Sequence, residues 1–390
     1  MYAFMAAKQQ STDSVTAYLI GACDVCAWSL APAEWLRRAF RRAGIADLRS
    51  AGEPWPEGGT VILVRADVIL EEVLVKALIG ASETALTIDG AVAAAHVPAA
   101  RAAEVASAIE AGAAAAELRH VGPAELASTY NHALRKRAVP YALALTEGSR
   151  LAVEKRMFRG SYKGVTDFVT KWLWPWPAFW VTRWCAARRI SPNVVTAVSL
   201  VLVIAATWLF ARGYFAVGIV AAWLMTFLDT VDGKLARVTL TSTKLGNVFD
   251  HGIDLLHPPF WYVAWFYGLQ ASTTPAETLF LAGAAWIIVV GYVAGRLQEG
   301  FFLWRFGLEL HAWRPLDSAF RLFTARRNPN LAIMTAAAVA GAIETGFLAV
   351  ALWTLLSLLF HFVRIGQAMR RRRDGGTVRS WLAEGTAAAP

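Results

Sequence analysis

Cysteine is almost absent from this chain. Its 390 residues hold three, Cys23, Cys26 and Cys185. The CDVC spacing of Cys23 and Cys26 has no second pair to complete a four-cysteine zinc site, so both read as ordinary small residues. The N-terminus lacks an apolar core as well. "MYAFMAAKQQSTDS" is no signal peptide, and the first domain is expected in the cytoplasm. Acidic residues are the minority, 29 against 38 lysines and arginines, for a formal net charge of +9. That excess suits either nucleic acid or an anionic membrane surface. What is abundant decides between them. Hydrophobic residues make up 56% of the chain, tryptophan occurs 17 times and mean hydropathy is +0.42, values that are high for a soluble enzyme.

Residues 1–150 carry little of this apolar excess and read as a soluble α/β domain. "SVTAYLIGA" and "GTVILVRADVIL" are strand runs, the second ending near a possible ligand, Asp67. "APAEWLRRAFRRAGI", "EEVLVKALIGA" and "RAAEVASAIEAGAAAAEL" are helices, and "ALTIDGAVAAAHVP" reads as strand, turn, strand. The alternation suggests a doubly wound sheet. Residues 151–191 form a linker in which basic residues interleave with tryptophans. Such a segment lies in a membrane interface, indoles at headgroup level and cationic tips in water. The same interleaving occurs in nucleic-acid grooves. Its position just before a hydrophobic helix favours the membrane, and no nucleic-acid partner is expected.

Six hydrophobic segments follow within 192–370, near 194–210, 213–229, 255–271, 276–294, 330–345 and 347–363. Each approaches the roughly 20 residues needed to cross a 30 Å hydrocarbon slab. Basic residues fill alternate connections: Arg188 and Arg189 before the first segment, Lys234, Arg237 and Lys244 after the second, Arg296 to Arg327 after the fourth, and Arg370 to Arg373 beyond the sixth. The other connections hold only Arg212. This alternation predicts six spans with both termini in the cytoplasm. The expected fold is therefore a polytopic α-helical membrane protein with six transmembrane helices, preceded by a soluble α/β domain and ending in a flexible tail over 371–390. The loop 296–328 is expected to hold a second interfacial helix.

"FLDTVDGKLARVTLTSTKLGNVFDHGID" places four aspartates where the second segment ends and the third begins. Asp229 and Asp232 are three apart, Asp250 and Asp254 four apart, so each pair shares a helix face. Four carboxylates near a membrane are costly unless cations offset them. An oxygen-only ligand set suits magnesium or manganese. Gly233 and Gly246 permit close approach, and Arg237 offers a fork of donors to a phosphate. Metal-assisted phosphoryl transfer facing the cytoplasm is the chemistry this points to.

The spacing D-x2-D-G-x2-A-R-x8-G-x3-D-x3-D is met at every fixed position by Asp229, Asp232, Gly233, Ala236, Arg237, Gly246, Asp250 and Asp254. On these residues, and on "SPNVVT" before the first segment, the chain resembles the CDP-alcohol phosphotransferase family over roughly 155–370. The resemblance implies transfer of a substituted phosphate from a CDP-linked donor, such as CDP-diacylglycerol, to an alcohol, with release of CMP. It implies a binuclear Mg2+ or Mn2+ site on Asp229, Asp232, Asp250 and Asp254, with Asp254 favoured as general base and Asp250 beside it. Gly233, Ala236, Arg237 and Gly246 would form much of the CDP surface. A homodimer among membrane lipids is also implied. Lys163, Arg188, Arg189, Arg296, Arg326 and Arg327 are candidates to hold a polar or inositol-phosphate-like acceptor. In some members a nucleotidyltransferase-like domain precedes the membrane domain. Residues 1–150 invite that comparison but lack a G-x-G-x-x-G run after the first strand, so a degenerate, noncatalytic version is expected. Two other readings stay open. One is a soluble CDP-alcohol donor with a lipid or phosphorylated acceptor; the other is a noncatalytic membrane scaffold or transporter.

Overall fold

The computed structural model describes residues 15–113, 117–270 and 274–383; the side chains of Lys244, Leu245, Asn247, Asp250 and His251 fall outside that description. The β-rich runs of the first domain become strands β1 (Val15–Ile20), β2 (Leu48–Ser50), β3 (Thr60–Arg65), β4 (Val68–Leu70), β5 (Thr84–Ile88), β6 (Ala91–Pro98), β7 (Arg119–Val121), β8 (Tyr130–Asn131), β9 (Lys136–Arg137) and β10 (Ala142–Ala144). Six of them form one sheet in the order β2-β1-β3-β6-β5-β7. A fully parallel, doubly wound sheet is not what forms. β6 runs antiparallel to both β3 and β5, because Asp89 and Gly90, both at positive φ, close a tight hairpin. Helices α1 (Pro32–Arg42), α2 (Glu72–Ile79), α3 (Ala102–Glu110) and α4 (Pro123–Leu126) accompany the sheet. Asp67 is held by a two-pronged ion pair from Arg65, at 2.9 and 2.6 Å.

The interfacial linker is broken into pieces. Helix α5 (Arg150–Gly160) ends before a loop, a short π-turn covers Val169–Leu173, and α6 (Pro175–Ala187) restarts at a proline. Four indoles at four-residue steps, Trp172, Trp176, Trp180 and Trp184, stay exposed by 59, 75, 42 and 53%.

The long helices begin where the local chemistry dictates. Ser191 caps α7 (Pro192–Ala211) by accepting from the Val194 N–H, with Pro192 in the first turn. Helices α8 (Phe215–Val238) and α9 (Lys244–Gln270) follow. Thr274 and Glu277 form a reciprocal cap on α10 (Pro275–Phe306), which ends at Gly307 in the left-handed region. A short α11 (Pro315–Phe320), then α12 (Arg327–Val339) and α13 (Ile343–Arg373), complete the bundle. Five of the expected hydrophobic segments fall mainly on one of these helices each, but the segment expected at 330–345 is broken at Ala340–Ala342, between α12 and α13. Among the described residues four, α7, α8, α10 and α13, are long and apolar enough to cross a membrane. Helix α12 is not: its 13 residues reach about 20 Å, short of a hydrocarbon core. The second interfacial helix expected in 296–328 is also replaced, since α10 runs on to Phe306 and only the six-residue α11 follows.

The bundle packs through small residues. A Cβ on Gly268 of α9 would come within 2.0 Å of the Phe210 carbonyl oxygen of α7, and one on Gly291 of α10 within 2.4 Å of Thr354 of α13. The α/β domain is not an independent lobe. Its core, with Trp28, Trp35, Phe40 and Leu74, runs through Met157 and Phe158 of α5 and Phe179 of α6 to Val231, Leu235 and Val238 of α8. Arg38 and Arg42 of α1 reach the backbone carbonyls of Thr239 and Ser242, at 2.7 and 3.0 Å, on the link between α8 and α9. The tail expected from 371 begins only after Arg373, and its described part is docked. Leu382 is buried beside Tyr130 and Val165, Arg137 donates to the carbonyls of Trp381 and Leu382, and the Trp381 N–H donates to Trp313.

Candidate active site

Helix α8 continues past Asp229 to Val238, so Asp229, Asp232, Gly233, Ala236 and Arg237 all lie on one unbroken helix. Asp254 lies on α9. Asp229 and Asp254 meet at Arg327, the first residue of α12. Its Nη2 donates to Asp229 Oδ2 at 2.7 Å and its Nη1 to Asp254 Oδ1 at 2.6 Å. Asp229 and Arg327 are mostly buried, while the Asp254 side chain is 42% exposed. Asp232 is buried and accepts from Thr196 Oγ1 of α7 at 2.6 Å. A Cβ at Gly246 would stand 3.0 Å from Asn193 Oδ1 and from Thr243 Oγ1, a close approach to both side chains. The Asp250 side chain lies outside the described residues.

Asp229 and Asp254 border a cavity of about 440 Å³, and Asp232 is not part of its wall. Its wall includes Asp229, Gly233, Arg237 and Asp254, and from the acceptor candidates Lys163, Arg296, Arg326 and Arg327. Arg188 and Arg189 are not part of it; both are exposed at the end of α6, where Arg188 lies over Trp184. Ala236 and Gly246 are not part of the wall either. Four further charged residues were not anticipated by spacing: Arg135 from the α/β domain, Asp167, Lys234 and Arg321. Asp167 is nearly buried and accepts from the Thr170 N–H and hydroxyl and from Asn328 Nδ2 of α12, at 3.0, 2.9 and 3.0 Å. Burial pushes the Asp167 pKa up, but Arg321 and those donors outweigh it, and the carboxyl titrates below its ordinary value. One signal for it was available: it is the lone acid in the basic segment "KGVTDFVTKWL".

The wall holds eight basic and three acidic residues, so the cavity is built for an anion. Burial, with Arg135 and Arg237 nearby, pulls the Lys163 pKa down; burial, with Arg326 nearby, does the same to Arg321. Both would be relieved by a bound phosphate. Lys234 is buried, with its Nζ 3.3 Å from the Tyr162 ring centre.

A second cluster stands behind the arginines. Glu299, His311 and His361 could each offer an atom within 4.8 Å of the others. Glu299 is already committed to Arg326, to Arg296 at 3.3 Å and to His311 at 3.2 Å. Two guanidiniums on that carboxylate oppose a further cation, and the cluster acts to aim Arg296 and Arg326 at the cavity. At Asp229 and Asp254 the donors are oxygen only, which suits a divalent ion, and a single guanidinium, that of Arg327, bridges them and would have to make way for it.

The structure thus sets paired carboxylates and a basic cavity beside a helical bundle, four of whose helices are long and apolar enough to cross a membrane. Residues 189–369 match the family model described as CDP-alcohol phosphatidyltransferase. Human cholinephosphotransferase 1 is 30% identical over 139 residues, covering 33% of this chain and 34% of that protein. Human ethanolaminephosphotransferase 1 is 31% identical over 72 residues, covering 18% of each. The chain thus spans about a third or less of the length of these curated relatives. Mycobacterium tuberculosis phosphatidylinositol phosphate synthase with CDP-DAG bound is 19% identical with a TM-score of 0.38, covering 47% of this chain and 91% of that one.

Proposed function

We propose that this protein transfers a substituted phosphate from a CDP-linked donor to an alcohol hydroxyl and releases CMP, in phospholipid synthesis. The observation that carries this reading is the convergence of Asp229 and Asp254, from two helices, on one wall of a strongly basic cavity. Asp229, Asp232, Asp254 and Asp250 would hold magnesium or manganese, which supplies charge neutralisation to the diphosphate. Arg237 and Lys234 bind the diphosphate, and Gly233 leaves room for it. Asp254, the more open carboxylate, takes the proton of the acceptor hydroxyl as its oxygen attacks phosphorus. The bond from that phosphorus to the CMP oxygen breaks, and CMP leaves with the electron pair.

The acceptor reading follows from charge. Choline and ethanolamine, in the relatives' names, are cations borne on the phosphate that is transferred, and a cationic group on either substrate calls for an aromatic cage. This wall has one aromatic ring, Tyr292, among eight cations. A phosphorylated or neutral polyol acceptor fits better, with Lys163, Arg296, Arg321 and Arg326 on its phosphate. A lipid donor such as CDP-diacylglycerol would enter from the bilayer. The long apolar helices cross the membrane, with both termini and the active site cytoplasmic; the run of basic residues at the ends that line the cavity supports this side. The protein works as a homodimer, and its α/β domain is a noncatalytic relative of nucleotidyltransferases that braces the site.

The test is purified protein with manganese or magnesium and a panel of CDP donors and acceptors, read by mass spectrometry. Metal-dependent CMP release with one donor–acceptor pair is expected. If no CDP donor binds, and Asp250→Asn leaves product formation in cells unchanged, the transferase reading fails and a scaffold or transporter replaces it.

A further inference from the structure

A second cavity, of about 540 Å³, opens on the far side of Lys163, between α5 and α6. Five of its wall residues are cationic, Lys136, Lys155, Arg159, Lys163 and Lys171, and none is acidic. Phe179, Trp176 and Trp180 form the opposite wall. Trp176 and Trp180 also belong to the stripe of exposed indoles that α6 presents to its surroundings. A soluble surface would not leave four indoles at four-residue steps in water, and an interface belt does. The cavity therefore sits where headgroups meet acyl chains.

We infer that this groove is a binding site for an intact anionic phospholipid, separate from the aspartate site. Its phosphate lies among the five cations and its chains run along Trp176 and Trp180. Three observations carry this. The charge is uncompensated within the groove, unlike the catalytic cavity with its three carboxylates. Lys155, Arg159 and Lys171 are exposed and form no ion pair among the described residues, so they are available to a ligand. Apolar and cationic walls face each other, which matches a lipid and not a free ion. Burial also pulls the Lys136 and Lys163 pKa values down, and an anion would reverse that. Lys163 borders both cavities, so an occupied groove would help hold the acceptor side of the site in place.

The experiment is native mass spectrometry of the full chain in detergent, titrated with dioctanoyl phosphatidylglycerol and dioctanoyl phosphatidylcholine. Phosphatidylglycerol is expected to bind at least about tenfold more tightly. The triple variant Lys155→Gln, Arg159→Gln, Lys171→Gln, confined to exposed positions outside the catalytic cavity, is expected to lose that preference. Equal binding of the two lipids, or an unchanged preference in the triple variant, would overturn the inference. So would displacement of the lipid by an equal concentration of glycerophosphate, which would identify a pocket for free phosphate. Trp176→Ser with Trp180→Ser is expected to weaken both lipids alike. None of these readouts uses CMP release, so a failed transferase reading leaves this test intact.

Discussion

Arg327 and Asp229 are 2.7 Å apart, one opening α12 and the other three-fifths of the way along α8, and the same guanidinium also holds Asp254 of α9. One side chain therefore neutralises two carboxylates and ties three helices at the cavity wall. Removing one partner of such a pair while the others remain buried costs about 3–5 kcal/mol. Arg327→Gln is expected to lower the melting temperature in metal-free buffer, and added manganese should restore more of it than manganese adds to the wild type. Scanning fluorimetry with and without a chelator checks this. An equal manganese response in both proteins would mean that Arg327 does not share its carboxylates with the ion.

Asp254 is the exposed carboxylate of the pair, so its role is separable from that of Asp229. Asp254→Asn is expected to lower kcat at least about 100-fold, the lower range of general-base contributions, with donor KM little changed. Asp229→Asn should raise donor KM as well. Steady-state CMP release with varied donor distinguishes the two patterns.

The α/β domain grips the link between the two motif helices through Arg38 and Arg42. Charge-assisted hydrogen bonds of this kind contribute about 1 kcal/mol each when partly exposed. The double variant Arg38→Gln, Arg42→Gln is expected to speed amide exchange over residues 239–243 selectively. Exchange over α13 should be unchanged. Uniform acceleration throughout the chain would instead indicate global loosening.

Asp167 supplies a pH dependence. Its folded pKa is depressed, so its contribution to stability is fully present above the unfolded value of about 3.9 and is lost as pH falls through the lower folded value. Asp167→Asn should be less stable than wild type at neutral pH, and the gap should close below about pH 4. Melting temperatures across acid buffers give the answer. A gap that persists into acid would place the cost in packing instead of charge.

The motif helices were more legible in the sequence than the rest of the cavity wall. Eight positions at fixed spacing lie on two helices, where spacing maps directly onto a face, and Asp229 and Asp254 do converge. Arg135, Arg321 and Asn328 come from segments far apart in the chain, and nothing in periodicity brings such residues together. Arg188 and Arg189 show the converse: charge beside a hydrophobic helix does not by itself bring a residue to the cavity, and both stay exposed outside it. In the sheet the Asp89–Gly90 turn was legible as a hairpin, and its consequence, a reversed strand inside an otherwise α/β pattern, overrides the parallel order that simple alternation suggested. Helix α12 was legible as apolar, but its length was not, because Gly341 at φ +69 lies just past its end.

The docking of Ser380–Ala383 sets an order of events during synthesis. Arg137 waits for carbonyls that lie 244 and 245 residues further along the chain. That strap can close only after α13 has left the ribosome, and the loop it closes contains the whole bundle. The α/β domain must therefore be held by the core it shares with α5, α6 and α8 until Ser380–Ala383 emerge, and the strap works as a late-closing latch on an assembly already made.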